Sequence, residues 1–173
     1  MRSTPEGLSD QSLVRSLQEF TEDQGEVGAA GIDDRELATA AIDAVLSHVT
    51  ALGIDSLLAS EEQAITVGRN LLDGLASDPD TADTVGSILD DPPVDNRMVT
   101  DSLIVSAAVL GAIVAWLQTK FDLKVHRKNG KTEVSLEIEK KPASDSLIKQ
   151  LATTLWSMLT GGGGPGGGGP DQP

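Results

Sequence analysis

The chain has 173 residues, a formal net charge of −14, no cysteine, two Phe, two Trp and no Tyr. Without cysteine there are no disulfides, thiolate metal sites, iron–sulfur clusters or Cys nucleophile, and with so few aromatic rings the core must be built from Leu, Ile, Val and Ala. The charge is one-sided: residues 1–95 hold 20 acids against four Arg, whereas residues 96–173 hold seven acids against nine bases, so the first part repels nucleic acid and the second has too little excess charge to bind phosphate by itself.

The opening MRSTPEGLSD has no apolar run after its Arg, which argues against a secretory leader and makes a cytoplasmic location the default. Residues 1–7 read as unstructured. From residue 8 the pattern is helical. Leu13, Leu17 and Phe20 form one stripe behind Ser9 or Asp10 as cap. A loop with Gly25, Gly28 and Gly31 follows, and a second helix is predicted from Asp33 and Asp34 through Leu37, Ala41, Val45, Val49 and Leu52, stopped by Gly53. DSLLASEEQAITVGRNLLDGLASD predicts a third, with Leu58, Ile65, Leu72 and Leu75 inward, weakened by Gly68 and Gly74. A short fourth runs through TADTVGSILD, and Pro92 and Pro93 close the acidic helical module of residues 8–90 with a linker at 91–96.

The apolar helix predicted from about 97 to 119 poses the main question, membrane or core. Leu103 to Leu117 carries no charge and only one polar residue, Ser106, and its rise of about 22 Å falls short of a hydrocarbon layer about 30 Å thick. Burial in a core or an oligomer interface is the better reading, with insertion in the cytoplasmic membrane as the alternative. Ala107, Gly111 and Ala115 recur every fourth position and permit close approach to another backbone in either setting.

Asn129-Gly130 between two alternating runs is a hairpin signal, since a type I′ turn needs two residues that tolerate positive φ. A two-residue loop sets Lys128 opposite Lys131, then Val125 with Val134, Leu123 with Leu136 and Phe121 with Ile138 on the apolar face. The other face takes Lys124 with Ser135, His126 with Glu133 and Asp122 with Glu137. A final helix follows with Leu147, Leu151 and Leu155 aligned behind Ser144 or Asp145, and GGGGPGGGGPDQP reads as a disordered tail over 160–173.

Chemical motifs are few. His126 beside Glu133 lies on the solvated face of a hairpin, without the cleft or nucleophile that acid–base catalysis needs. His48 has no second His and reads as a partly buried helix residue. Asp78, Asp80 and Asp83 are spaced like the start of a calcium loop, but Asp83 stands where that loop needs Gly and Leu89 where it needs Glu. The glycine-rich tail lacks the Lys and hydroxyl of a phosphate loop. We therefore expect no catalytic residue, metal or cofactor.

The stretch LGAIVAWLQTKFDLKVHRKNGKTEVSLEIEKKPASDSLIKQLATTLWSML resembles the C-terminal part of the effector-associated constant component family of bacterial conflict systems, in which a small-residue-rich apolar helix ending like VAWL precedes a hairpin and a final helix. The likeness covers about residues 103–159. It implies a non-enzymatic component working beside effectors such as proteases or nucleotide-dependent switches. The expectation is thus a mainly helical α+β protein: the acidic helical module, then a helix–hairpin–helix module over 97–159 with a two-stranded antiparallel sheet. It acts as an interaction or adaptor component that binds a protein partner or itself, with Ala107, Gly111, Ala115, Phe121, Leu123, Val125, Val134, Leu136 and Ile138 as its candidate surface.

Overall fold

Ser9 opens the first helix: its Oγ accepts from the Ser12 amide at 3.1 Å, satisfying a donor that has no partner inside the helix. The computed structural model of the chain describes residues 5–25, 35–92, 102–138 and 140–161, and all side chains there except those of residues 25, 102 and 125–127. In chain order these are a 3-10 turn at Pro5–Gly7, α1 (Asp10–Gly25), α2 (Arg35–Leu46), α3 (Ile54–Leu57), α4 (Glu61–Ser77), α5 (Ala82–Asp90), α6 (Ser102–Lys120), β1 (Asp122–Lys128), β2 (Lys131–Ile138), β3 (Lys141–Pro142) and α7 (Asp145–Thr160). The molecule is mainly helical α+β. Asp33, Asp34, the loop glycines at 28 and 31, residues 93–96 of the expected linker and the tail from residue 162 lie outside the described residues.

Several boundaries differ from the sequence reading, each for a local reason. Pro5–Gly7 is structured, because Arg69 on α4 donates to the carbonyls of Pro5 at 2.7 Å and Leu8 at 2.9 Å and pairs with Asp10 at 2.8 Å. The second helix stops at Leu46 instead of Leu52. Ser47 Oγ donates to the Ala44 carbonyl, Thr50 Oγ1 accepts from the Leu52 amide, and such side chains offer the backbone an alternative to the helical ladder. Leu52 is left 51% exposed, and His48 sits exposed in the turn after α2, not half-buried within a helix. The expected third helix is two, α3 and α4, because Ser60 breaks the run and caps α4 through the Gln63 amide at 3.2 Å.

α6 is apolar on every side and lies at the centre, against α1, α4, α2 and β1. Val109, Ala112, Ile113, Trp116 and Leu117 are fully buried on it, and Leu13, Leu17 and Phe20 of α1 pack into the same cluster; each large side chain contributes about 1.5–3 kcal/mol by leaving water. That cluster runs without interruption from Leu8 to Leu159, so the segments before and after the prolines share one core. The two glycines of α4 are the points of closest approach. A Cβ at Gly68 would meet Leu17 and Val109 at 3.3 and 3.4 Å, and one at Gly74 would stand 2.5 Å from Met158 Cγ of α7. What these residues cost the helix in propensity they return in packing.

The hairpin forms as its residues require. Asn129 and Gly130 have φ of 54° and 75°, and the ladder pairs Asp122 with Glu137, Leu123 with Leu136, Lys124 with Ser135, Val125 with Val134, His126 with Glu133 and Lys128 with Lys131. The expected Phe121–Ile138 pair is absent from it. Phe121 still donates its amide to the Leu117 carbonyl at 2.9 Å and so ends the helix instead of starting the strand. Ile138 pairs with Lys141 in β3, which makes the sheet three-stranded in the order β1-β2-β3. α7 is capped by Ser144 through the Leu147 amide and closed by left-handed Gly161. Its buried seam is Ile148, Ala152, Leu155, Met158 and Leu159, so of the expected Leu147, Leu151 and Leu155 stripe only Leu155 is fully enclosed.

Candidate functional site

The expected interaction residues do not share one surface. Positions four apart on a helix advance by about 40° beyond a full turn, and over two such steps the row rotates from outside to inside: Ala107 is exposed, Gly111 half-buried and Ala115 buried. A Cβ at Gly111 would touch Thr21 of α1 at 3.4 Å, so the inner part of this row, Gly111 and Ala115, serves contact within the chain. Phe121 and Leu123 are buried, Val134 and Leu136 pack against the core, and Ile138 is half-buried; the side chain of Val125 is not among those described. α2 lies against both long strands. The apolar face of the hairpin is thus largely used to attach it to the helices.

What the fold leaves open is an edge. β1 pairs with β2 on one side, and among the described residues no strand lies on the other. A two-residue turn fixes the hydrogen-bond phase, because the residues flanking the loop exchange both bonds and the pattern then alternates. Lys128, His126, Lys124 and Asp122 therefore bond inward to β2, while the amide and carbonyl of Leu123, Val125 and Arg127 point away from it, Leu123 as a whole residue being only 4% exposed. These are three donor–acceptor pairs in strand geometry on a hairpin anchored by Leu123 and Leu136.

The charges along this edge are unevenly compensated. Lys124 Nζ donates to Glu137 Oε2 at 2.7 Å, and this bond, with the Glu137 charge, raises the Lys124 pKa above its ordinary value. Asp122 stands opposite Glu137, a like charge, and Lys128 stands opposite Lys131, another. Like charges facing each other across a ladder are unfavourable.

A second polar group fixes where the hairpin leaves the helices. Asp78, at the end of α4, is buried, and its carboxylate accepts from Trp116 Nε1 at 2.7 Å, from the Asp80 amide at 2.9 Å and from Lys120 Nζ at 3.1 Å. Lys120 also pairs with Asp80 and lies 5.7 Å from the centre of the Trp116 ring. Burial alone would raise the Asp78 pKa, but the bonds from Trp116, Asp80 and Lys120 outweigh it, and the carboxyl is held below the usual range. For Lys120, burial works downward and is overcome by Asp80 and Asp78, so its pKa is raised. The clamp ties the α4–α5 turn to the C-terminal end of α6, two residues before the hairpin begins at Asp122. Sequence reasoning passed over it by weighing Asp78 only as a calcium ligand. The available signal was Trp116 itself, a buried indole N–H that needs an acceptor.

Among the described residues, two of the open grooves lie along the helices. One of about 500 Å³ is lined by Arg35, Glu36, Thr39, Ala40, Asp43 and Asp55; there burial raises the Asp43 pKa, helped by Asp55 and opposed by the Ile54 amide, which donates to Asp43 at 2.7 Å. The other, of about 590 Å³, lies between α4 and α7 beside Asn70, Asp73, Ser77 and Thr154. Compared with protein-family models, with curated proteins and with solved structures, the chain matches none.

Proposed function

We propose that this chain is a non-enzymatic interaction or adaptor component whose contact surface is the open edge of β1. The observation that carries the reading is the alignment of three strand amides and carbonyls, at Leu123, Val125 and Arg127, that pair with no strand among the described residues, on a hairpin held to a helical body through its apolar face. Main-chain pairing at such an edge supplies affinity without a preformed pocket. The likeness of residues 103–159 to a component of bacterial conflict systems supports a place beside an effector in defence or signalling. The net charge of −14 favours a protein partner over nucleic acid, and the reading calls on no cofactor. The proposed location is the cytoplasm.

The test is Val125→Pro, which deletes one outward amide while leaving the β1–β2 ladder its bonds, Pro being tolerated on an edge strand. Co-expressed with the products of adjacent genes, the wild type should retain its partner and this variant should lose it at an unchanged circular dichroism spectrum; equal retention counts against the edge. One observation favours a membrane-anchored reading instead, namely that Leu103–Lys120 is long and apolar enough to cross a bilayer, although most of it is buried in the fold. Recovery of the wild type in a membrane pellet that resists carbonate and yields to detergent would establish that reading.

A further inference from the structure

We infer that the occupant of this edge is a second copy of the chain, β1 against β1, antiparallel about a twofold axis at Val125. The inference rests on the reading of β1 as the contact surface and adds the partner and the register. Only residues whose amide and carbonyl point outward can exchange bonds across the new pair, so Leu123, Val125 and Arg127 must face one another. With Val125 opposite itself, Leu123 meets Arg127, Lys124 meets His126, and Asp122 meets Lys128 of the second copy, at both ends of the seven-residue strand. A slip of two residues in either direction shortens the ladder and places Lys124 against the second copy's Lys124 or its Lys128. A slip of one residue sets outward groups against inward ones. The register at Val125 alone pairs the whole strand and brings opposite charges together twice.

Within the chain those charges face like charges across the ladder. Asp122 is faced by Glu137 and shares with it the attraction of Lys124, which is bonded to Glu137, and Lys128 is faced by Lys131. In the dimer the second copy's Lys128 lies beside an acidic pair, and its Asp122 beside a basic one. Residues directly opposite in an antiparallel pair share a face, and Asp122 and Lys128 are both exposed, so the contacts form on the solvated side of a continuous six-stranded sheet.

The experiment is light scattering coupled to gel filtration at about 100 µM, with dissociation followed on dilution, on the full chain of 18.0 kDa. The wild type should elute as a dimer. Asp122→Lys and Lys128→Asp should each weaken the dimer about tenfold, since two attractions become two repulsions, and the two substitutions together should restore it. Each single change relieves a like-charge pair inside its own hairpin, so the monomer's melting temperature should hold or rise while the dimer weakens, a divergence that mere misfolding does not produce. A monomeric wild type overturns the second copy as occupant, while loss of a different bound protein on Val125→Pro would still support the edge. A dimer indifferent to the charge changes and to Val125→Pro overturns both readings, and failure of the doubly changed chain to recover overturns the register.

Discussion

Asp78→Ala tests the clamp most directly. The substitution leaves the backbone bonds of the α4–α5 turn in place, because the Asp78 carbonyl still accepts from Thr81 and Ala82. Among the side chain's partners, the Asp80 amide can turn to water, and Lys120, whose side chain is 16% exposed, keeps Asp80. Trp116 has no such recourse. Its ring is fully buried, and a stranded indole N–H costs about 1–3 kcal/mol, to which the loss of bonds to a charged acceptor adds a comparable amount. Removing a buried carboxylate returns part of that sum by ending its desolvation. The net expectation is about 3 kcal/mol, a fall in melting temperature of about 10 °C for a chain of this size. Urea unfolding followed by far-ultraviolet circular dichroism measures it, since fluorescence would be altered by changes at Trp116. Trp116→Phe, alone and with Asp78→Ala, completes a double-mutant cycle in which the hydrogen bond appears as a coupling of about 1–2 kcal/mol. If the two single losses add to within about 0.5 kcal/mol, the bond contributes nothing and the clamp is merely packing.

The same carboxylate sets an acid limit. Because the Asp78 pKa is lower in the folded chain than its ordinary 3.8, its contribution is complete above that value and is lost as pH falls through it toward the folded pKa; acid titration of melting temperature should show this drop, flattened in Asp78→Asn. Gly74→Ala should destabilise by about 1–2 kcal/mol despite the helix preference of Ala, because the new methyl meets Met158, and Met158→Ala should cancel the clash part of this penalty in a urea midpoint series. Val134→Asp, on the face packed against the core, should cost about 2–3 kcal/mol, and an unchanged melting curve would contradict the facing of the hairpin. Ser16→Ala should instead stabilise by about 1 kcal/mol in the same assay, since Ser16 Oγ is buried with no hydrogen-bond partner among the described residues.

The hairpin was the most legible element because two independent signals, the positive-φ pair Asn129-Gly130 and the alternation on both arms, specify one register. Helix starts at Ser9 and Ser144 were readable for a similar reason, a cap residue immediately before an apolar period. Helix ends were not. The stop at Leu46 depends on the Ser47 hydroxyl bonding backward and on Asp43 reaching the Ile54 amide, neither of which periodicity records. β3 escaped notice because it has two residues, one of them Pro142, which pattern reading assigns to a break. The face of α6 could not be read because the helix is apolar all round, and the division suggested by Pro92-Pro93 and by charge says nothing of a core that crosses it. Of the candidate surface, the residue types were visible, but whether an apolar face is turned outward or consumed internally is decided by distant α2.

The central position of α6 has a consequence for the order in which the chain is made. α1, α2 and α4 lean on a helix that begins at Ser102, so a ribosome that has released the first ninety residues has released surfaces that can close on one another only in part. Leu13, Leu17, Leu71 and Leu72 share one cluster with Trp116 and Leu117, and that cluster is complete only when the last two emerge. Folding that depends on a late segment leaves apolar chain exposed to aggregation or to chaperones in the interval, and the acid excess of the early half keeps those nascent chains apart by mutual repulsion. The asymmetric charge then serves the protein's birth as much as its finished surface, and neutralising the early acids should lower the yield of soluble protein more than it alters the stability of what folds.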